Sequence, residues 1–306
     1  MIFNTPLQLL NAYKNGFIGS VCDKEGQERL LAESKYPYFG LAAQSIAGSG
    51  KGKTALLFKN LLKFDPKAFN ERQTTGDCVS HAARNAVDTT RSTEIINGDK
   101  ESFIVRSATE GIYGVRGHTG QGMTCERAVR FLTQDGGILL RKKYGSHDLS
   151  VYNGRMAASW GRSGTPRALV EEAKKNQVKT ASNIRSIDEA RDALFNGYGI
   201  FACSNLGFSE KRDKNGIAQR SGNWAHAMAW IAMDDTREIF NETLFLIQNS
   251  WGPWNSGPKR FNQPDGSFWV RQSVAEDIIE VGSTWALSSV DGFPAQKIKW
   301  SLDEVL

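Results

Sequence analysis

Apolar positions along the chain keep a helical period through its first two thirds and a strand period thereafter. Thr5 can cap a helix that Pro6 opens, so residues 6–14 read as a first short helix and residues 27–34 as a second amphipathic one. Val79, Ala82, Ala83, Ala86 and Val87 recur at i, i+3, i+4 and i+7. That spacing predicts a long helix from about residue 78 to Ile96, stopped by Asn97-Gly98. Thr124 as N-cap, Ala128, Phe131 and Leu132 as the buried stripe, and Gly136-Gly137 as terminator define another helix. Thr165-Pro166 opens one more, through about residue 175. Ser186-Ile187-Asp188-Glu189 is a capping box for a helix to Phe195, closed by Asn196-Gly197.

From Gly199 the period changes. Residues 199–204, 226–233, 244–251, 267–272 and 284–289 are short, rich in Ile, Val, Phe and Trp, and separated by turn residues, which predicts an antiparallel sheet or barrel. Helices first and strands second make an α+β fold of two lobes, and 306 residues suffice to bury its core. Ala47-Gly48-Ser49-Gly50-Lys51-Gly52-Lys53-Thr54 fits a loosened phosphate-loop pattern. Fewer than 50 residues precede it and the next motif begins under 20 residues later, so no parallel sheet fits around it. It reads as a flexible glycine-lysine loop.

Composition narrows the class. A net charge of +5, with lysine and arginine dispersed among acids, describes a solvated surface rather than a nucleic-acid-binding stripe. No stretch approaches 18 apolar residues and no basic segment precedes an apolar run at the N-terminus, so neither a membrane span nor a signal peptide is expected. A cytoplasmic or virion-associated protein follows. Cys22, Cys78, Cys125 and Cys203 are too few and scattered for a disulfide framework, and without a CxxC pair they suggest no zinc site. A reducing or indifferent compartment is expected, with no metal and no cofactor.

The candidate chemistry starts at Arg72-Gln73-Thr74-Thr75-Gly76-Asp77-Cys78, a polar turn that delivers a cysteine to the first turn of the long helix. There the helix dipole and unpaired N–H groups favour a thiolate nucleophile, although a helix-end cysteine can also be a small buried hydrophobe. A nucleophilic cysteine needs a base and a group to orient that base. Among four histidines, His226 starts a strand, and Asn249 ends the next one at Gln248-Asn249-Ser250-Trp251-Gly252. Asn249 could accept the imidazole N–H and Trp251 could cover that bond from water. His81, one turn beyond Cys78, reads as a surface or core histidine.

The order Gln73, Gly76, Cys78 opening a long helix, His226-Ala227 after 148 residues, then Asn249-Ser250-Trp251-Gly252, resembles the papain family of cysteine peptidases. Gly120-Gln121-Gly122, the helix ending in Gly137-Ile138, residues 186–204 and Asp265-Gly266-Ser267-Phe268-Trp269-Val270 are similar to further family segments, so the resemblance spans residues 66–294 and suggests a divergent viral or bacterial member. It implies a helical lobe built on the cysteine helix (66–185), a barrel-like antiparallel lobe (186–293) and a tail (294–306). It implies Cys78 as nucleophile, His226 as base and then acid, Asn249 as orienter, and Gln73 with the Cys78 N–H as oxyanion donors. Gly120 and Gly122 would flank a polypeptide substrate, and Trp251 would shield the His226–Asn249 contact.

Several residues depart from the family pattern. Gln73 lies five residues before Cys78 where six is usual, which brings Thr74 forward as the alternative neighbour of the oxyanion. Val79 replaces an aromatic, Thr75 replaces a cysteine, and Asp77 places a carboxylate beside the thiol, which opposes its ionisation unless it caps the helix or faces away. Residues 1–65 form a mostly helical extension, a docking segment or propeptide-like, though without the family's propeptide pattern. That extension and the tail ending at Leu306 are expected to pack on the body or on partners in a larger assembly such as a virion. Two functions follow: a cysteine endopeptidase, or a papain-fold structural or docking protein with weak or no hydrolase activity.

Overall fold

The protein, described by a computed structural model over residues 1–98 and 106–296, has an α+β architecture of a helical side facing an antiparallel sheet. Its helices are α1 (Pro6–Lys14), α2 (Lys24–Glu33), α3 (Phe39–Ala42), α4 (Leu57–Phe64), α5 (Cys78–Ile96), α6 (Thr109–Tyr113), α7 (Cys125–Arg130), α8 (Gly154–Ser163), α9 (Arg167–Ala173), α10 (Ile187–Phe195) and α11 (Gln272–Glu280). The strands are β1 (Ser20–Val21), β2 (Thr54–Ala55), β3 (Met123–Thr124), β4 (Lys143–Tyr144), β5 (His147–Asp148), β6 (Thr180–Asn183), β7 (Ile200–Arg212), β8 (Ala218–Asp234), β9 (Leu244–Gln248), β10 (Ser267–Arg271) and β11 (Thr284–Ser288).

The main sheet runs β10-β9-β8-β7-β11-β6, antiparallel throughout, and β2 adds to β8 through Ala55 opposite Met233. Its predicted strands are present, with β7 and β8 extended into a long ribbon, and β6 is an addition. The helices fall where capping residues placed them. Thr5 accepts from the Gln8 N–H at 3.2 Å, Thr124 from Arg127 at 3.2 Å and Ser186 from Glu189 at 3.2 Å. α8 and α11 were not foreseen: α8 holds two glycines, and α11 follows β10 directly with no side-chain cap.

α5 is the axis of the molecule. Of its 19 residues, 16 are buried, because α4 and α6 cover it on one side and β7, β8 and β11 on the other. Gly199 permits this contact: a Cβ there would fall 2.4 Å from the Ala86 carbonyl oxygen. Leu56, Phe58 and Leu61 of the α4 segment pack with Ile231, Leu246 and Trp269 of the sheet, which ties residues 54–64 into the body. Residues 1–34 take a different course, across the groove between the two lobes. α1 packs against β8, β1 pairs in parallel with β3, and α2 lies against α7.

Two expectations are corrected. Cys125 and Cys203 form a disulfide that joins α7 to β7 across 78 residues of chain. Such a pair is invisible to spacing because it depends on which strand the helix is packed against. Disulfides persist in oxidising surroundings, which counts against the reducing compartment inferred from cysteine count. The glycine-lysine loop is ordered rather than flexible: Gly48 and Gly50 donate to Asp192 at 2.6 and 3.0 Å, and Gly52 to Asp235 at 2.6 Å. Its amides thus cradle anions, but the anions are the chain's own carboxylates. Gly292, Phe293 and Pro294 pack on the body, with Phe293 buried against Phe39 and Tyr198. The expected docking of residues 300–306 lies outside the described residues. Among the described residues no helix is long and apolar enough to cross a membrane.

Candidate active site

Cys78 is the first residue of α5, His226 lies within β8, and Asn249 follows the end of β9, so the three come from the helical lobe and two adjacent strands. All three are buried. His226 Nε2 stands 2.8 Å from Asn249 Oδ1, which also accepts the Ser250 N–H at 2.7 Å. An amide oxygen only accepts, so Nε2 carries the imidazole proton and Nδ1 is bare in the neutral ring. Trp251 stacks at a tilt with its ring centre 4.9 Å from that of His226 and is itself buried, covering the bond as expected from the sequence.

Gln73 is held from two directions. Its N–H donates to the Ser250 carbonyl at 2.8 Å, and its side-chain oxygen accepts the Ser250 hydroxyl at 2.5 Å. Its Nε2 donates to the Thr75 carbonyl at 2.8 Å. Thr74, the alternative oxyanion neighbour, turns the other way: its N–H donates to the Tyr152 hydroxyl at 3.1 Å and its carbonyl accepts from Phe3 at 2.7 Å. The Tyr152 hydroxyl in turn donates to Asp77 at 2.8 Å. Asp77 therefore faces the helical lobe and makes no side-chain cap to α5. Gln121, which sequence reasoning passed over, accepts the Gly76 N–H at 2.9 Å and the Thr75 hydroxyl at 3.0 Å, bracing the shortened turn.

The groove above Cys78 is filled by residues 13–21 of the same chain. The Tyr13 hydroxyl lies 3.0 Å from His226 Nδ1 and donates to it, since that nitrogen is bare. Cys78 and Gln73 lie close enough to the same hydroxyl to act on its ionisation, which burial holds well above the ordinary phenol range. Gly19 crosses directly over the thiol, where a Cβ would fall 2.9 Å from Cys78 Sγ and 1.9 Å from the Tyr13 oxygen. The Gly19 N–H donates to Ala225 at 2.8 Å and its carbonyl accepts from Met123 at 3.2 Å, so the strand is fixed to both walls. Gly122 lines this crossing, because a Cβ there would fall 2.7 Å from the Ile18 carbonyl. Gly120 does not: a Cβ there would meet only His118 within 4 Å.

Electrostatics follow from this closure. Burial pushes the Cys78 thiol up to about 12, against the smaller opposing effects of the Tyr13 hydroxyl and nearby backbone amides, and Asp77 adds to the rise. The thiolate expected from the helix terminus is thus overridden by desolvation. Burial also lowers His226 to about 4, against the stabilising bond to Asn249. Sulfur and imidazole are both neutral at pH 7. His81 is a core histidine, 3.5 Å from Asp77 and 3.8 Å from Glu71.

A long buried helix that opens on Cys78 and packs against an antiparallel sheet gives the chain a papain-like two-lobe fold, which solved structures bear out. The chain is similar to xylellain, a cysteine protease from Xylella fastidiosa, at 17% identity and a TM-score of 0.51, over 78% of this chain and 86% of that one. It is similar to digestive procathepsin L 3 from the larval midgut of Tenebrio molitor at 10% identity and a TM-score of 0.52, over 86% and 79% of the two chains. The Amb a 11 cysteine protease of ragweed pollen, in its proform, matches at 14% identity and a TM-score of 0.53, over 94% and 77%. No protein-family model and no curated protein sequence matches this chain. At these identities the likeness is one of fold.

Proposed function

We propose that this chain is a cysteine endopeptidase of papain type that hydrolyses polypeptides once residues 1–34 leave the groove. The observation that carries this reading is the His226–Asn249 bond at 2.8 Å, stacked under Trp251, with Nδ1 turned toward the Cys78 side. A histidine needed only for packing has no use for an orienting amide and a protected proton. With the groove open, His226 takes the Cys78 proton through Nδ1 as sulfur attacks the scissile carbonyl carbon, the Cys78 N–H and Gln73 side-chain amide hold the oxyanion, and the protonated imidazole then gives its proton to the departing amine. Water activated by the same imidazole hydrolyses the thioester. Gly122 gives an extended substrate backbone room on the helical rim; Gly120 stands further out on the same loop.

We divide the extension by what it touches. Residues 1–34 are the removable part, propeptide-like in position, whereas residues 35–65 belong with the catalytic body because β2 and α4 are built into the sheet and onto α5. The test is hydrolysis. A specific cleavage site inserted after Ser34 in the full chain should, once cut and the fragment removed, give turnover of quenched fluorescent peptides. Cys78→Ala should abolish it, and Asn249→Ala should lower kcat about tenfold to a hundredfold. The competing reading, a papain-fold docking protein, gains from the filled groove and the neutral pair; it prevails if the opened chain cleaves no peptide while remaining folded.

A further inference from the structure

Most of residues 1–34 contributes backbone and apolar packing, but one side chain reaches the reacting atoms. Tyr13 sits at the end of α1, wholly buried, with its ring 4.7 Å from the His226 ring, 5.2 Å from Trp251 and 5.1 Å from Phe17. We propose that the Tyr13 hydroxyl is a chemical latch, standing between the Cys78 sulfur and His226 Nδ1, so that thiol and imidazole are uncoupled as well as covered. The proposal rests on the peptidase reading of Cys78, His226 and Asn249 and goes beyond it by assigning latency to a single hydrogen-bonding group.

The geometry argues for a built contact. Nδ1 is the only ring nitrogen that can accept the Cys78 proton, because Nε2 is committed to Asn249, and Tyr13 is the donor that occupies it. The hydroxyl and Cys78 Sγ both lie within 3 Å of the point where a Gly19 Cβ would stand. Gly19 is therefore required for the crossing: any side chain there would expel either the phenol or the thiol. The strand that carries Gly19 is also poorly placed to be cut. Its carbonyl oxygen points to the Met123 N–H at 3.2 Å rather than to the Gln73 and Cys78 donors, so the segment occupies the groove without presenting its own amide for attack. Anchors on either side hold α1 in this position. Phe3 donates to Thr74 at 2.7 Å, Thr75 to the Met1 carbonyl at 3.1 Å, Arg72 to the Asn4 carbonyl at 2.7 Å, and Lys14 pairs with Glu210 at 2.8 Å.

Tyr13→Phe keeps the buried ring, and with it the packing on Phe17 and Trp251, while deleting the oxygen. The experiment measures the rate of Cys78 alkylation by iodoacetamide at neutral pH, located by mass spectrometry, in the uncut chain. Loss of the hydrogen bonds should raise that rate about tenfold or more, with Tyr13→Ala raising it further. A second arm adds peptide 1–34 back to chain cut after Ser34: the Tyr13→Phe peptide should protect Cys78 at least tenfold less well than the natural one. Equal alkylation rates in the uncut chains together with equal protection by the two peptides would overturn the latch, even if the cut chain hydrolyses peptides. Conversely, raised alkylation in the uncut Tyr13→Phe chain, alongside a cut chain that hydrolyses nothing, would uphold the latch and sink the peptidase reading.

Discussion

Two buried polar clusters flank the turn that delivers Cys78, and they meet the cost of burial in opposite ways. On the helical side, Arg141 pairs with Glu71 at 2.8 Å and with Glu110 at 2.7 Å, Arg84 stands 3.6 Å from Glu71, and Glu71 keeps its charge because two arginines face it, whereas burial pushes the Glu110 carboxyl up against its single arginine. On the groove side, Cys78, His226 and Tyr13 are just as buried, have no counter-ion among them, and stay neutral. Desolvation acts on both. Where two arginines face one carboxylate, charge is retained and becomes structure; where only a phenol and an amide are offered, the thiol and the imidazole stay neutral.

The comparison breaks first at Glu71. Glu71→Gln leaves two arginines without their shared carboxylate and should cost ~3–5 kcal/mol in chemical denaturation, the range for breaking a buried pair. Cys78→Ala, which removes a neutral thiol, should cost far less. Reduction of the Cys125–Cys203 disulfide, or its double serine variant, should cost ~2–4 kcal/mol, since it frees a closed loop of 78 residues in the unfolded chain. Acid sharpens the same contrast. Burial alone would raise Glu71, but Arg84, Arg141 and His81 hold it at about 2, below its ordinary 4.5. A depressed carboxylate contributes stability above its unfolded value that is lost as pH falls toward the folded one. Stability should therefore drop by ~3 kcal/mol between pH 4.5 and 2, and that portion should be missing in Glu71→Gln. The neutral pair signals in other windows while the groove is filled: His226, held at about 4 below its ordinary 6.5, should cost stability as pH falls from 6.5 toward 4, and Cys78, raised to about 12 from 9, as pH rises above 9.

Much of the scaffold was legible because local signals agree with the fold. Thr5 and Pro6, the apolar stripe from Val79, and the capping box at Ser186 each predict a helix found within a residue or two of its bounds. Asn249 and Trp251 announced themselves as polar and aromatic residues at a strand end, and the structure sets both on His226. What the sequence withheld is long-range. Tyr13 lies 213 residues from His226, and nothing in the pattern of α1 distinguishes its hydroxyl from any surface phenol. Cys203 sits in a strand that reads as apolar, and its partner is known only once α7 is laid on β7. The Cys78 ionisation was misjudged because the helix terminus is local, whereas the covering chain begins more than 50 residues upstream.

The central claim, a competent Cys78 held latent by residues 1–34, is tested most directly by labelling with a peptidyl vinyl sulfone before and after the segment is cut and removed. The account predicts a single adduct on Cys78, formed at least a hundredfold faster after release and lost in His226→Ala. Equal rates before and after release, or no adduct on Cys78 in the released and still folded chain, would contradict it.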